Sequence, residues 1–195
     1  MGSRIMHFAM GKIIAKEFNF GKEFLLGTIA PDVNKNSKTP KELTHFMVKR
    51  EDGEHDMFPK RFLEKYGPTL TEFELGYYLH LISDNLWLNT VYKNNILKVS
   101  VEKRPEQLEM FYSDFVTLNK ILIDKYQLAP LCNVKSFKTK VDEVIDSDLI
   151  NIENDLNNDF IYKQENDKEL KLLRISDIIN YIEVSVQEFK DFLEK

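Results

Sequence analysis

The chain has 195 residues, of which 43% are hydrophobic and 30% charged, and its formal net charge is −5. These are ordinary globular values and the length suffices for one well-buried core, so global disorder is excluded. The acidic balance argues against a partner such as a nucleic-acid duplex, which normally requires a basic surface. Cys132 is the single cysteine, so we expect neither a disulfide framework nor a thiolate zinc site.

The first ten residues contain neither a long apolar region nor a small-residue cleavage site, so they do not have the form of a secretory signal. No run approaches the roughly 18 apolar residues that a membrane span requires. We therefore expect a cytoplasmic protein without stable membrane insertion. The sequence leaves the oligomeric state open.

Apolar residues recur at helical spacing along most of the chain, which predicts an all-α fold. In the first half, helices are predicted over residues 5–18 and 58–66. A central helix then runs to about Tyr92. It begins at Thr69 or Thr71, because each of these threonines has a glutamate three residues later, the spacing of a capping box.

The remaining segments of the first half are predicted to be loops, and the second half is predicted to be mainly helical. Residues 33–43 and 49–56 are expected to be polar loops. A long amphipathic helix is predicted over residues 105–128, followed by an acidic, Asn-rich segment, 134–159, with short helices and a mobile connection. Residues 169–195 carry a strong apolar stripe that favours core packing over a partner or membrane surface.

The four histidines, His7, His45, His55 and His80, all lie within the first 80 residues. His7 and His45 sit inside apolar stretches, where a histidine is either a core residue with a satisfied ring or a metal ligand. His80 and Asp84 are four residues apart on the central helix, so they share one face and could hold one ion. The alternative is a core histidine paired with a neighbouring aspartate.

Two carboxylates complete the candidate set. Asp32 follows a proline at the end of an apolar run, where its side chain can point back into a cavity. Three imidazoles and two carboxylates are enough for one zinc site and part of a second. These candidate metal ligands are His7, Asp32, His45, His80 and Asp84.

Three segments, in this order and spacing, resemble the zinc-dependent phospholipase C family, whose all-helical fold is shared with the P1-type nucleases. They are residues 24–32 (FLLGTIAPD), 44–46 (THF) and 76–84 (GYYLHLISD). The resemblance covers roughly residues 5–92. It implies an all-α, multi-helical phospholipase C/P1 nuclease-like bundle around a metal site.

The resemblance also implies a role for each candidate ligand. One zinc would be held by Asp32, His45, His80 and Asp84. Asp84 would bridge to a second zinc that His7 also binds, and Asp32 would act as general base as well as ligand. No histidine follows His80, so the ligands that bind a third metal in the secreted members of the family are absent here.

Four further residues are candidates near the site. His55 and Asp56 are additional candidate ligands, because a loop beside a site can reach inward. Tyr77 and Trp87 lie one turn before and two turns after His80, where they could line a pocket. Packing is the favoured interpretation for both, since aromatic residues on a central helix usually build core.

The chemistry that such a site supports is hydrolysis of a phosphate ester, because zinc acidifies water and neutralises charge on phosphoryl oxygens. We expect a zinc-dependent, phospholipase C-like hydrolase with a small phosphoester as substrate. The cofactor is one or two zinc ions, with another divalent metal as the alternative. The chain is treated as one α-helical domain, 1–195, with a metal-site half (5–92) and a helical second half (105–195).

Two other hypotheses compete with this one. The chain could be a non-catalytic metal-binding helical domain with a structural or partner-binding role. It could also be a hydrolase of the HD phosphohydrolase type, suggested by His45, the adjacent pair His55 and Asp56, and the distal Asp84. The HD hypothesis ranks last because it leaves the other candidate ligands without roles.

Overall fold

A computed structural model describes residues 1–35, 37–132, 137–161 and 169–195. Its α-helices are α1 (Arg4–Phe18), α2 (Lys22–Gly27), α3 (Lys41–Thr44), α4 (Pro59–Tyr66), α5 (Glu72–Trp87), α6 (Arg104–Lys125), α7 (Asp146–Ile161) and α8 (Ile175–Leu193). Between them lie two 3₁₀-helices (Ala30–Lys35 and Val101–Lys103), a π-helix (Leu88–Leu97) and a two-stranded antiparallel sheet of β1 (Met47–Lys49) and β2 (His55–Met57). The predicted all-α fold class is confirmed.

The central helix α5 begins at Thr71, which decides between the two predicted caps. The Thr71 hydroxyl accepts from the Glu74 backbone N–H at 3.4 Å, and the Glu74 carboxylate accepts from the Thr71 N–H at 2.7 Å. These two bonds form a complete capping box. The prediction of a regular helix as far as Tyr92 is wrong beyond Trp87, because the backbone continues there as a π-helix.

Side chains of the π-helix compete for carbonyl groups that a continuing α-helix would use. Thr90 Oγ1 donates to the Leu86 carbonyl at 2.6 Å, and Asn95 Nδ2 donates to the Val91 carbonyl at 2.8 Å. Such local bonds offer the backbone an alternative to regular helical pairing. The spacing of apolar residues alone does not indicate these side-chain bonds, so it could not predict the π-helix.

Both predicted polar loops contain regular structure. Residues 49–56 were expected to be loop, but the hairpin pairs Lys49 with His55 and Val48 with Asp56. Within 33–43, a 3₁₀-helix extends to Lys35 and α3 begins at Lys41.

The acidic segment 134–159 differs from its prediction as well. Residues 146–161 form the single continuous helix α7, because Leu149, Ile152 and Leu156 share one face and bury it. Residues 134–136 lie outside the described residues.

Helix α5 occupies the centre of the molecule and packs against α1, α2, α4 and α8. The apolar stripe of α8 is core, as predicted, with Ile178, Ile182, Val186 and Phe189 all buried. Among the described residues, no helix combines the length and apolarity needed to cross a bilayer.

Helices α2 and α5 cross in direct backbone contact at Gly27 and Gly76. A Cβ atom on Gly27 would overlap the Phe73 carbonyl oxygen and lie 3.0 Å from the Tyr77 amide nitrogen. A Cβ atom on Gly76 would likewise overlap the Phe24 carbonyl oxygen. Both neighbours are helix backbone, which cannot rotate aside as a side chain can. Glycine at both positions therefore sets the closest approach of the two helices.

We predict that Gly76→Ala destabilises the fold by at least about 2 kcal/mol, since overpacking forces backbone shifts. The measurement is urea unfolding followed by circular dichroism. Gly21→Ala is the matched control, because its added Cβ would meet only the end of the flexible Glu72 side chain, at 3.2 Å. Equal stability of the two variants would show that the α2–α5 contact tolerates a wider spacing.

Candidate metal centre

The five predicted ligands come from four separate elements and converge in the core. His7 lies on α1, Asp32 on the first 3₁₀-helix, His45 at the C-cap of α3, and His80 and Asp84 on α5. Asp32 is 6% exposed and the other four are at most 1% exposed. Charged side chains are rarely buried this completely unless they are paired or bind a metal.

The Asp84 carboxylate is at the centre of this cluster and divides its oxygens between two sides. Oδ1 lies 3.2 Å from His7 Nε2 and accepts from the Gly2 backbone N–H at 2.9 Å. Oδ2 lies 3.2 Å from His80 Nε2 and 3.6 Å from His45 Nε2. Each carboxylate oxygen therefore faces at least one imidazole Nε2.

Two further distances tie the cluster together. Asp32 Oδ1 is 3.7 Å from His45 Nε2, and the Nε2 atoms of His45 and His80 are 3.3 Å apart. The rings of His7 and His80 are stacked with their centroids 3.8 Å apart. Two triads have ligand atoms within 4.8 Å of one another: His7 with Asp32 and His80, and His45 with His80 and Asp84.

Hydrogen bonds on the far side of the rings fix the orientation of His80 and His7. His80 Nδ1 donates to the Thr28 carbonyl oxygen at 2.8 Å. Ser83 Oγ uses its single proton to donate to the His80 carbonyl oxygen at 2.8 Å. Ser83 Oγ is then the acceptor for His7 Nδ1, at 3.0 Å. Both rings consequently carry the Nδ1 proton and present Nε2 to the cluster.

His45 is held in the same way by the helix that it caps. Its Nδ1 lies 2.8 Å from Thr44 Oγ1 and 3.2 Å from the Lys41 carbonyl oxygen. Thr44 is held in turn by Tyr77, whose hydroxyl donates to the Thr44 carbonyl oxygen at 2.6 Å. Metal-binding histidines typically donate the distal N–H to a carbonyl or hydroxyl in this manner, which frees the other nitrogen as ligand.

The charges within the cluster do not balance. Burial lowers the pKa of both His7 and His45, so neither ring takes up a proton readily. Burial also opposes a charge on His80, but the Asp84 carboxylate raises the pKa of His80 above its ordinary value. Burial opposes ionisation of Asp84 as well, but the adjacent His7 and His80 hold the pKa of that carboxyl well below its ordinary value.

Asp32 adds a second buried negative charge. Despite its burial, contacts with His45 and His80 hold the pKa of the Asp32 carboxyl well below its ordinary range. Two ionised carboxylates thus share one readily protonated imidazole, which leaves a net negative charge in the core. In addition, His7 Nε2 and Asp84 Oδ2 are buried without a hydrogen-bond partner. A divalent cation fits this donor set, because it would balance both carboxylates and coordinate both unpartnered atoms.

The other predicted site residues lie elsewhere. His55 lies on β2, where its Nε2 is 3.5 Å from Glu42 Oε1, and it is not brought to the cluster. Asp56 has a side chain that is 52% exposed and faces Arg50 at 3.5 Å. An HD-type site would require His55 and Asp56 to lie beside His45 and Asp84. Because they lie apart from the cluster, the structure does not support that hypothesis.

Tyr77 and Trp87 are fully buried, in agreement with the favoured packing interpretation. The Tyr77 ring stacks on Phe62 with centroids 4.9 Å apart, and Trp87 packs edge-on against Phe111. Tyr77 is more than core filling, however, because its hydroxyl anchors the carbonyl group that precedes His45.

A cavity of about 410 Å³ opens beside the cluster, and Asp32 is part of its wall. Its lining also includes the N-terminal residues Gly2 and Ser3 and residues of α6. Other clefts, such as the one lined by Lys22 and Phe137, contain none of the five candidate ligands. Asp32 is therefore the ligand through which the buried cluster meets a space large enough for a small molecule.

The residues that orient the rings were not predicted from the sequence. Thr28 and Lys41 act through backbone carbonyl groups, which leave no residue-type signal. Ser83 did carry a signal, because it lies three residues after His80 and directly before Asp84 on a helix whose face was already assigned. The contribution of α6 to the cavity wall depends on long-range packing.

Comparison of the chain with protein-family models, curated proteins and solved structures found no match. The case for a function therefore comes from the geometry of the cluster and from the resemblance of its motifs.

The first prediction at this site concerns metal content. Protein purified without chelator or polyhistidine tag should contain at least one zinc-like ion per chain. Chelation should lower the melting temperature and added zinc should restore it, because an ion bound only by the folded state stabilises that state by mass action. Metal analysis and thermal melts provide the measurements. A chain without metal, whose melting is indifferent to zinc, would contradict a metal centre.

The second prediction separates a metal ligand from a structural aspartate. Asp84→Asn preserves size and retains an oxygen for the Gly2 N–H, but it removes the negative charge. We expect loss of bound metal with helical content largely retained. Asp56→Asn is the matched control and should leave metal content unchanged, since Asp56 is exposed and outside the cluster. Unchanged metal in Asp84→Asn would make Asp84 a purely structural residue.

Proposed function

We propose that this chain is a zinc-dependent hydrolase of phosphate esters, similar to the phospholipase C family that its motifs resemble. The observation that carries the proposal is the burial of two carboxylates among three imidazoles whose Nε2 atoms are all oriented inward. A protein core rarely keeps such a cluster without a cation, because unpaired buried charge costs several kcal/mol. Four of the five cluster residues, all except His7, lie in the segments that resemble the family.

Each ligand has a distinct part in the proposed site. His45, His80 and Asp32 would share one zinc with Asp84 Oδ2, while Asp84 Oδ1 and His7 would bind a second ion. When bound, zinc would lower the pKa of water and neutralise charge on phosphoryl oxygens. The hydrogen bonds at each Nδ1 keep the three rings in place, so little reorganisation is needed when a substrate arrives.

Asp32 is the proposed general base. It faces His45 on one side and the cavity on the other, so its carboxylate can accept a proton from a water molecule beside a bound phosphoester. Its lowered pKa keeps the carboxylate ionised at neutral pH, as a proton acceptor must be, but makes it a weak base, which agrees with slow turnover. The remaining ligands are too deeply buried to exchange protons directly with the cavity.

A second candidate function is a non-catalytic metal site that stabilises the fold. The observation that favours it is the burial of four of the five ligands to 1% exposure or less. Structural metal sites are closed, whereas catalytic sites keep a coordination position open to substrate. Turnover separates the two functions, because a structural site would contain zinc and hydrolyse no phosphoester.

We predict slow hydrolysis of an activated aryl phosphodiester and little action on intact phosphatidylcholine vesicles. The cavity accommodates a small solute, and the ligands for a third metal are absent, so transition-state charge is less fully neutralised. Asp32→Asn should lower the rate about 100-fold or more at equal zinc content, because general-base catalysis contributes on that order. Vigorous vesicle hydrolysis would refute the substrate class. Unchanged activity in Asp32→Asn would remove Asp32 from the mechanism.

A further inference from the structure

The cavity beside Asp32 has two chemically different walls. Cationic side chains, Arg4 and Lys41, lie on its wall together with Asp32, and α6 contributes the aromatic and apolar residues Tyr112 and Val116. At about 410 Å³ it has the size of a small-molecule site. A ligand that satisfied both walls would carry an anionic group and a flat apolar group.

Arg4 supplies a fixed cation with unused hydrogen-bonding capacity. Its side chain is 10% exposed, and its Nε donates to Asp159 Oδ2 at 3.1 Å. Its Nη1 is buried without a hydrogen-bond partner and lies 3.9 Å from Asp155 Oδ2. Buried donors of a guanidinium group normally find an acceptor, and a phosphate oxygen is a strong one.

Lys41 supplies a second, mobile cation. It is exposed, and within the described part of the chain it forms no ion pair. Its backbone carbonyl oxygen lies 3.2 Å from His45 Nδ1, so the base of the side chain is fixed relative to a candidate ligand. An ammonium group at this place can meet a phosphoryl oxygen that the metal cluster leaves uncovered.

The part of the lining that α6 contributes exposes apolar surface that the fold does not use. Tyr112 is 51% exposed and Val116 is 42% exposed, one turn apart on α6. The position of Tyr112 is nevertheless well defined, because its ring packs edge-on against Phe115 at 5.5 Å, and Phe115 packs against Trp87 in the core. A rigid, half-exposed aromatic side chain beside a cationic wall is suited to stack against a flat group.

We propose that this cavity selects phosphoesters with an aromatic leaving group. Lys41 and Arg4 contact the phosphoryl oxygens, and Tyr112 with Val116 contacts the leaving group. The inference rests on the proposed function, since it takes Asp32 and the metal cluster as the reacting centre. Two carboxylates also line the cavity. The charge of Asp32 would be balanced by a metal ion bound in the cluster, and Asp159 occupies only the Nε group of Arg4.

The experiment measures binding by calorimetry to the zinc-loaded chain, with phenylphosphonate and methylphosphonate as non-hydrolysable probes. Wild-type protein should bind phenylphosphonate more tightly. Tyr112→Ala should weaken the binding of phenylphosphonate about fivefold and leave the binding of methylphosphonate unchanged. Tyr112→Phe should retain the preference for phenylphosphonate. Lys41→Gln should weaken the binding of both probes about fivefold to tenfold, because it removes a positive charge that contacts both phosphonates. Arg4 is not substituted, since its ion pairs join α1 to α7.

Zinc content and helical circular dichroism are measured for every variant and should match those of wild type. Equal binding of the two probes by wild-type protein, or an unchanged preference in Tyr112→Ala, overturns the aromatic subsite. Unaltered binding by Lys41→Gln overturns the role of the lysine. If the probe pattern holds but wild type hydrolyses no aryl phosphodiester, the hydrolase function fails and the pocket stands. A chain that binds no zinc overturns both.

Discussion

The contact of the Asp84 carboxylate with three imidazoles is the interaction on which the arrangement of the first half depends. An isolated ionised carboxylate costs several kcal/mol to bury. Asp84 is contacted by His7 and the Gly2 N–H on one oxygen, and by His80 and His45 on the other, and these contacts offset part of this cost. Because its partners come from α1, α3 and α5, all three elements must be in place before these contacts can form. The core of this protein is therefore specified by polar contacts as well as by apolar packing.

Backbone packing supports that contact from outside the cluster. The approach of α2 to α5 at Gly27 and Gly76 brings the carbonyl oxygen of the next residue, Thr28, within 2.8 Å of His80 Nδ1. A wider spacing between the helices would withdraw the acceptor and allow the ring to rotate. The same glycines that fix the helix crossing thus fix the tautomer and direction of His80. Packing and site chemistry cannot be varied independently here.

Much of this could be predicted from sequence, and the failures have physical causes. The spacing of His80 and Asp84 places them on one helical face in any α-helix, and the apolar surroundings of His7 indicated burial. His55 was misplaced because its charged neighbours suggest a loop, whereas β1 pairs with residues 55–57 through backbone hydrogen bonds, which residue type reports poorly. The carbonyl groups that orient the rings could not be predicted for a similar reason, since any residue can supply a carbonyl oxygen.

The division into a metal-site half and a second half describes the ligands but not the cavity. All five candidate ligands precede residue 92, yet the cavity at Asp32 is also walled by Tyr112 of α6 and Asp159 of α7. Asp159 holds Arg4 of α1 at 3.1 Å, so the second half also positions a cation beside the cluster. Substitutions in α6 and α7 can therefore alter what enters the cavity while the ligands stay unchanged. The candidate ligands thus come from one half of the chain, whereas the cavity lining draws on both.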